Sequence, residues 1–167
     1  MLRRTGKNLP TSILKEGFMQ KKIHFYDSET PQVVAETLAG SKTESTGWMR
    51  HSFGADAPQC HEVHMPPGFR TAIHAHLEDE IVYVVAGELI LGQHTLGLGS
   101  SVYIPGNTLY SFVAGQNGVS FINFRPRGDQ TQFNREEFLA LQKLQGTDRE
   151  AFIQANAAAN RARYGLD

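Results

Sequence analysis

Between residues 45 and 128 the chain is a succession of short β-prone runs, each closed by glycine or proline. Trp48–Phe53, Cys60–Met65, Thr71–His76, Glu80–Val85, Glu88–Leu91, Thr95–Leu98, Ser101–Ile104, Leu109–Val113 and Val119–Arg125 are rich in β-branched and aromatic residues. Pro66-Pro67-Gly68, Ala86-Gly87, Gly92, Gly97, Gly99, Pro105-Gly106, Gly115, Gly118 and Pro126 punctuate them. The gaps are too short for the helical crossovers that parallel strands require. Short strands at such spacing predict an antiparallel sandwich or barrel.

The flanks read differently. Residues 1–44 are polar and turn-rich, and are expected to form an N-terminal arm with edge strands such as Val33–Leu38. Residues 129–167 carry helix signals and are expected to form a C-terminal helical extension. Asn134-Arg135-Glu136-Glu137 and Thr147-Asp148-Arg149-Glu150 both have the form of a capping box. Phe138, Leu141 and Leu144 make one apolar stripe; Phe152 and Ile153 begin a second. Gly146 is expected between the two helices and Gly165 at the end of the second.

Composition removes several classes of function. A formal net charge of -1 gives no global pull towards nucleic acid or an anionic membrane, so neither is expected as a partner. No segment approaches the roughly 20 apolar residues of a membrane span. The basic start MLRRTGKNLPTSILKEGFMQKK lacks a continuous apolar stretch and a cleavage site, so no signal peptide is expected and a cytoplasmic location is. The lone Cys60 cannot form an internal disulfide, and a half-buried strand position is expected for it. Neither a phosphate-binding glycine loop nor a nucleophile elbow occurs.

The chemistry-bearing stretch is residues 68–87, GFRTAIHAHLEDEIVYVVAG. On a strand, i and i+2 share a face, so His74 and His76 can reach one point. Glu80 follows a bend at Leu77-Glu78-Asp79 and can turn inward beside them. Two neutral imidazoles and one carboxylate form a facial set suited to Fe(II) and tolerant of Mn(II), Ni(II), Co(II) or Zn(II).

The spacing Gly68-x5-His74-x-His76-x3-Glu80-x6-Gly87 resembles the first motif of the cupin superfamily at every fixed position. The resemblance covers about residues 45–126 and implies a single antiparallel cupin (jelly-roll) barrel, all-β apart from the tail, with one divalent metal at His74, His76 and Glu80. The family's second motif is Gly-x5-Pro-x-Gly-x2-His-x3-Asn. Gly99 to Pro105 matches its opening, but the glycine shifts to Gly106. Tyr110 stands in place of the third histidine and Ala114 in place of the frequent asparagine. Tyr110 is then a phenolate ligand, a proton donor beside an open coordination position, or part of the wall with water as the remaining ligand.

His61 is the further candidate for the site, because Val63 and Met65 take the usual inward positions and His61 shares their face. His64 is expected outward, His94 in a surface turn, and His24 and His51 structural or exposed. Trp48, Tyr83, Val85, Phe112, Phe121 and Phe124 are expected to face inward as core or pocket wall. Arg50 and Arg125 can bind a carboxylate or phosphate if inward, although strand arginines are more often solvated.

The resemblance implies a metal-dependent enzyme on a small-molecule substrate, foremost a non-haem dioxygenase for a carbonyl, enol or hydroxylated aromatic compound. The alternatives are a metal-dependent isomerase, lyase or cyclase, and a non-catalytic sensor of ligand or metal. A homodimer is expected from the resemblance and from the frequency of twofold symmetry.

Overall fold

The computed structural model describes residues 33–36, 46–52 and 56–164. Nine strands precede and accompany two helices among these residues. The strands are β1 (Val33–Glu36), β2 (Thr46–Ser52), β3 (Gln59–Met65), β4 (His74–Ala75), β5 (Glu80–Leu91), β6 (His94–Gly97), β7 (Ser101–Ile104), β8 (Val113–Arg125) and β9 (Phe133–Asn134). The helices are α1 (Arg135–Leu141) and α2 (Gly146–Tyr164). All strand pairings are antiparallel: a seven-stranded sheet runs β1-β2-β3-β8-β5-β6 with β7 beside β5, and β4 pairs with β9. The fold class is the expected all-β barrel with a helical tail.

Period-2 alternation sorts the inner and outer faces. On β5, Glu80, Val82 and Val84 are buried while Ile81 and Tyr83 are exposed. On β8, Phe121, Asn123 and Arg125 are buried while Ile122 and Phe124 face outward. Met65, Val82, Val84, Leu89, Ile104, Phe112, Val119 and Phe121 form the main core. Tyr83 and Phe124 therefore do not line the interior, contrary to expectation. Glu80 and Phe121 set the phase of their strands, and Tyr83 and Phe124 each sit an odd number of residues away. The side chains of Trp48 and Arg50, together with His24 and Gly165, lie outside the described residues.

Three expected boundaries move. Ala86-Gly87 is not a turn: β5 runs through it, with register shifts between Val84 and Ala86 and between Gly87 and Leu89. The bulge reverses the phase, so that Leu89 rather than an even-numbered residue enters the core. Gly87 has φ +69°, and a Cβ there would stand 2.1 Å from the Gly118 carbonyl oxygen. A bulge and a tight turn make the same demand on glycine, which is why the sequence did not separate them. The chain reverses instead at Gly92, between Leu91 and His94.

The second shift is that Thr71–His76 and Leu109–Val113 are mostly irregular, joined by backbone bonds such as Thr71 N–H to Phe112 O (3.0 Å) and by a His74–Tyr110 bridge. The third is in the tail, where Gly146 opens α2 and Thr147 lies inside it. At α1 the expected capping box is present. The Asn134 side chain accepts from the Glu137 N–H, and Glu137 accepts from the Asn134 N–H, both at 2.9 Å.

The tail builds a second core. Ala75, Phe133, Phe138 and Leu141 are buried together, with Leu77, Leu109, Phe152 and Ile153 packed against them. Phe133 and Phe152 stack with ring centroids 6.1 Å apart. Gln132 and Asn156 exchange two hydrogen bonds, at 2.9 and 3.0 Å, fastening α2 to the segment before β9.

Candidate functional site

The two cores meet at β4. Ala75 is fully buried against the tail, so its neighbours His74 and His76 are turned the other way, into the barrel. β4 is held on one side by β9, with His74 opposite Asn134 and Ala75 opposite Phe133. On the other side, His74 and Tyr110 exchange both backbone hydrogen bonds at 3.0 Å. That pairing places the Tyr110 ring over His74, with centroids 4.5 Å apart. Tyr110, Phe112 and Phe121 continue as an aromatic series, with successive centroids 5.0 and 5.7 Å apart.

The segment after β4 is clamped. The Asp129 carboxylate accepts from the backbone N–H groups of Leu77 (2.9 Å) and Glu78 (3.1 Å), and from the N–H and hydroxyl of Thr131 at 2.7 and 2.6 Å. Gly106 closes the other side: a Cβ on it would meet the Leu77 carbonyl oxygen at 2.2 Å, and its N–H donates to Asp79 at 2.8 Å. The displaced glycine of the second motif is thus a packing requirement of the bend between His76 and Glu80.

Both site histidines have their Nδ1 committed to a backbone carbonyl. His74 Nδ1 donates to Ala72 O at 2.8 Å, and His76 Nδ1 donates to Thr131 O. The proton is therefore on Nδ1, and each Nε2 carries a lone pair. Glu80, 1% exposed, is the centre of the polar cluster. Its Oε1 accepts from the Tyr110 hydroxyl at 2.5 Å. Its Oε2 accepts from Asn123 Nδ2 and from Arg125 Nε (3.3 Å) and NH2 (3.1 Å). The same Arg125 NH2 donates to His76 Nε2 at 3.0 Å, and NH1 donates to Asp129 O at 3.0 Å. Asn123 Oδ1 is buried without a hydrogen-bond partner among the described residues.

The protonation states follow from this geometry. Burial and the Arg125 charge push the His61 pKa down to about 3, and the same two causes hold His76 well below its ordinary value. Burial also lowers His74. For Glu80 burial acts upward, but Arg125, His76 and the hydrogen bonds from Asn123 and Tyr110 outweigh it and hold the carboxyl at about 2. Burial and the Glu80 charge raise the Tyr110 phenol well above its normal range. At neutral pH the interior holds neutral imidazoles, an ionised carboxylate, a protonated phenol and a guanidinium.

The structure brings His74, His76, Glu80 and Tyr110 together. His61 joins them on the inner face: it is half-buried, pairs in register with Asn123, and feels the charges of Arg125 and Glu80. His64 is on the outer face, bonded to Ser120 Oγ at 2.6 Å and Glu62 at 3.0 Å. His94 is exposed and starts β6, and His51 is half-buried.

Arg125 departs from expectation: it is buried in the site rather than solvated. Sequence reasoning points to neither Asn123 nor Asp129. The parity of β8 carries the missing signal, since Asn123 and Arg125 lie two and four residues from the core residue Phe121. Asp129 has no such signal, because its role depends on a loop meeting the chain about 50 residues away.

A divalent metal is what the expected ligand set implies, and its donor chemistry fits. Ligating imidazoles must be neutral with the coordinating nitrogen bare, and a backbone acceptor on the other nitrogen fixes that tautomer. His74, His76 and Glu80 meet those conditions, and the orphaned Asn123 Oδ1 is a further acceptor beside them. The side chains do not converge to coordination distance: among the described residues no three His, Cys, Asp or Glu groups do. The Arg125 guanidinium stands between Glu80 and His76 and bonds to both.

No protein-family model and no curated protein matches the chain. Solved structures do. The polyketide cyclase RemF from Streptomyces resistomycificus is 21% identical, over 85% of this chain and 98% of that one, with a TM-score of 0.54. An RmlC-like cupin from Ralstonia eutropha is 15% identical over 73% of this chain and 88% of that one, at TM-score 0.55. An RmlC-like cupin from Shewanella frigidimarina is 20% identical over 65% of this chain and 95% of that one, at 0.51. At these identities the likeness is one of fold.

Proposed function

The chain has the cupin fold, and from that premise we propose that it is a metal-dependent enzyme acting on a small molecule inside its barrel. His74, His76 and Glu80 would hold one divalent transition metal, Fe(II) first among those the set accepts. The observation that carries this is the pair of imidazoles whose Nδ1 protons are committed to Ala72 O and Thr131 O, leaving both Nε2 lone pairs inward beside an ionised carboxylate.

When bound, a metal in a two-histidine-one-carboxylate set supplies a Lewis acid with open positions for substrate or dioxygen. The chain's own groups do the rest. Tyr110 keeps its proton and orients Glu80 through the 2.5 Å bond. His61 presents a neutral imidazole on the same inner face. Phe112, Phe121, Val82 and Val84 exclude water and favour an apolar or aromatic substrate. The leading activity is a non-haem dioxygenase for an enol, diol or hydroxylated aryl ketone. The second is an isomerase, lyase or cyclase without oxygen. It is favoured by the phenol proton that Tyr110 holds beside the carboxylate, and by the likeness to a polyketide cyclase along nearly all of that protein's length.

Elemental analysis of the wild type, His76→Ala and Tyr110→Phe tests the proposal. About one transition metal per chain in the wild type and Tyr110→Phe, lost in His76→Ala, is the expected result. A wild type that takes up none of Fe(II), Mn(II), Ni(II) or Zn(II) overturns it and leaves a binding module. Oxygen uptake with candidate substrates then separates the two activities.

A further inference from the structure

We infer that Arg125 is a built-in counter-cation of this site: its guanidinium binds His76 and Glu80 in the metal-free protein and must leave His76 for an ion to be held there. The inference rests on the metal-dependent reading proposed above and deepens it.

Four observations lead there. Arg125 is 7% exposed, so its charge is not shared with water. Its NH2 lies 3.0 Å from His76 Nε2 and 3.1 Å from Glu80 Oε2, and so bonds to two of the three side chains that would hold a metal. Glu80 Oε2 also accepts from Arg125 Nε at 3.3 Å, so this carboxylate oxygen is bound to the guanidinium at two points. The NH1 bond to Asp129 O, at 3.0 Å, comes from the turn that also positions Leu77, Glu78 and Thr131. That anchor lets the guanidinium give up His76 without leaving the barrel.

The physics makes the two cations exclusive at one seat. A buried carboxylate next to two bare imidazole lone pairs is unfavourable without a positive charge. Either cation satisfies it. Both together would put like charges within hydrogen-bond distance in a poorly screened interior. The arginine therefore stabilises the empty site and weakens metal binding.

A merely structural arginine and a competing one are told apart by the signs of two readouts. The experiment measures metal affinity by titration calorimetry with Zn(II) and Mn(II) alone, and thermal midpoints of chelator-treated and metal-loaded protein. It uses the wild type, Arg125→Gln, Arg125→Lys, and each with His76→Ala. Arg125→Gln is expected to bind metal about 10- to 100-fold tighter, the size of one or two charge-assisted hydrogen bonds no longer broken. Its chelator-treated form is expected to melt lower, with a larger stabilisation by metal. Arg125→Lys keeps the charge without the fork, is the variant to rely on if Arg125→Gln does not fold, and is expected to bind metal tighter than the wild type by a smaller factor.

Metal affinity that is unchanged or weaker in these variants, with His76→Ala still abolishing binding, overturns the inference and leaves the metal reading intact. If none of the proteins binds metal, both fall. Binding by Arg125→Gln alone overturns both as well, since the wild-type arginine would then be a permanent substitute for the metal and not a counter-cation that yields to it.

Discussion

Glu80→Gln is the sharpest perturbation of the folded state. The side chains of Glu80 and Arg125 are 1% and 9% exposed, so neither charge has water to fall back on. Glutamine keeps the shape but removes the charge. It also turns an amide N–H2 towards a cluster that consists of donors: Tyr110 hydroxyl, Asn123 Nδ2 and Arg125 Nε and NH2. Removing one partner of a buried pair costs about 3–5 kcal/mol, because the remaining ion stays buried and uncompensated. With a urea m-value of about 2 kcal/mol/M, the midpoint should fall by about 2 M with m unchanged. The assay is urea unfolding of chelator-treated protein at pH 7 for the wild type, Glu80→Gln, Arg125→Met and the double variant. The double variant should lose less than the sum of the singles by roughly 2 kcal/mol or more, since it buries no lone charge. A midpoint shift under about 0.5 M, or an additive cycle, would refute the idea that the pair is a desolvated unit.

Acid should destabilise the metal-free protein from an unusually high pH. His61 and His76 have folded pKa values lowered from 6.5 to about 3, so the unfolded chain binds more protons between those limits and stability falls as pH drops below 6.5. At pH 5 this amounts to about 2 kcal/mol per histidine; Glu80, lowered from 4.5 to about 2, adds its loss only below pH 4.5. Equal urea midpoints at pH 7 and pH 5 would contradict the burial of these rings. Phe133→Ala, at a fully buried position against Ala75, should cost about 3–5 kcal/mol and also weaken metal uptake by letting β4 shift, measured by urea unfolding and metal titration. Gly68→Ala and Gly87→Ala should differ although φ is +70° and +69°. The first meets open space and should cost about 1–2 kcal/mol. The second drives a Cβ into the Gly118 carbonyl and should cost well over ~2 kcal/mol, so equal thermal midpoints would count against the bulge.

Local rules were enough for the architecture and for part of the site. Short alternating runs with glycine and proline between them have few arrangements available, and the all-antiparallel pairing is the one they predict. The i, i+2 spacing of His74 and His76 sets their common face, and the parity of Val63 and Met65 brought in His61. The Asn134-x-x-Glu137 capping box is a contact within one turn and was legible for the same reason. Each of these depends on residues close in sequence.

Tertiary structure decided everything that depends on which distant segments meet. Gly87 reads as a turn until β8 is seen to run past it, with Gly118 at the point of contact. The helical tail reads as packing across a barrel or dimer surface, but only the fold puts Phe133, Phe138 and Leu141 behind Ala75, where their packing turns the two histidines inward. Nothing in the sequence marks Asp129 until its carboxylate is seen holding Leu77 and Glu78 in place. Arg125 reads as a solvated strand residue until pairing sets Gln59 beside it and the pleat aims it at Glu80, 45 residues earlier in the chain. A charge is buried only where the fold supplies its partner, and that partner is set by register between strands rather than by any residue nearby in sequence.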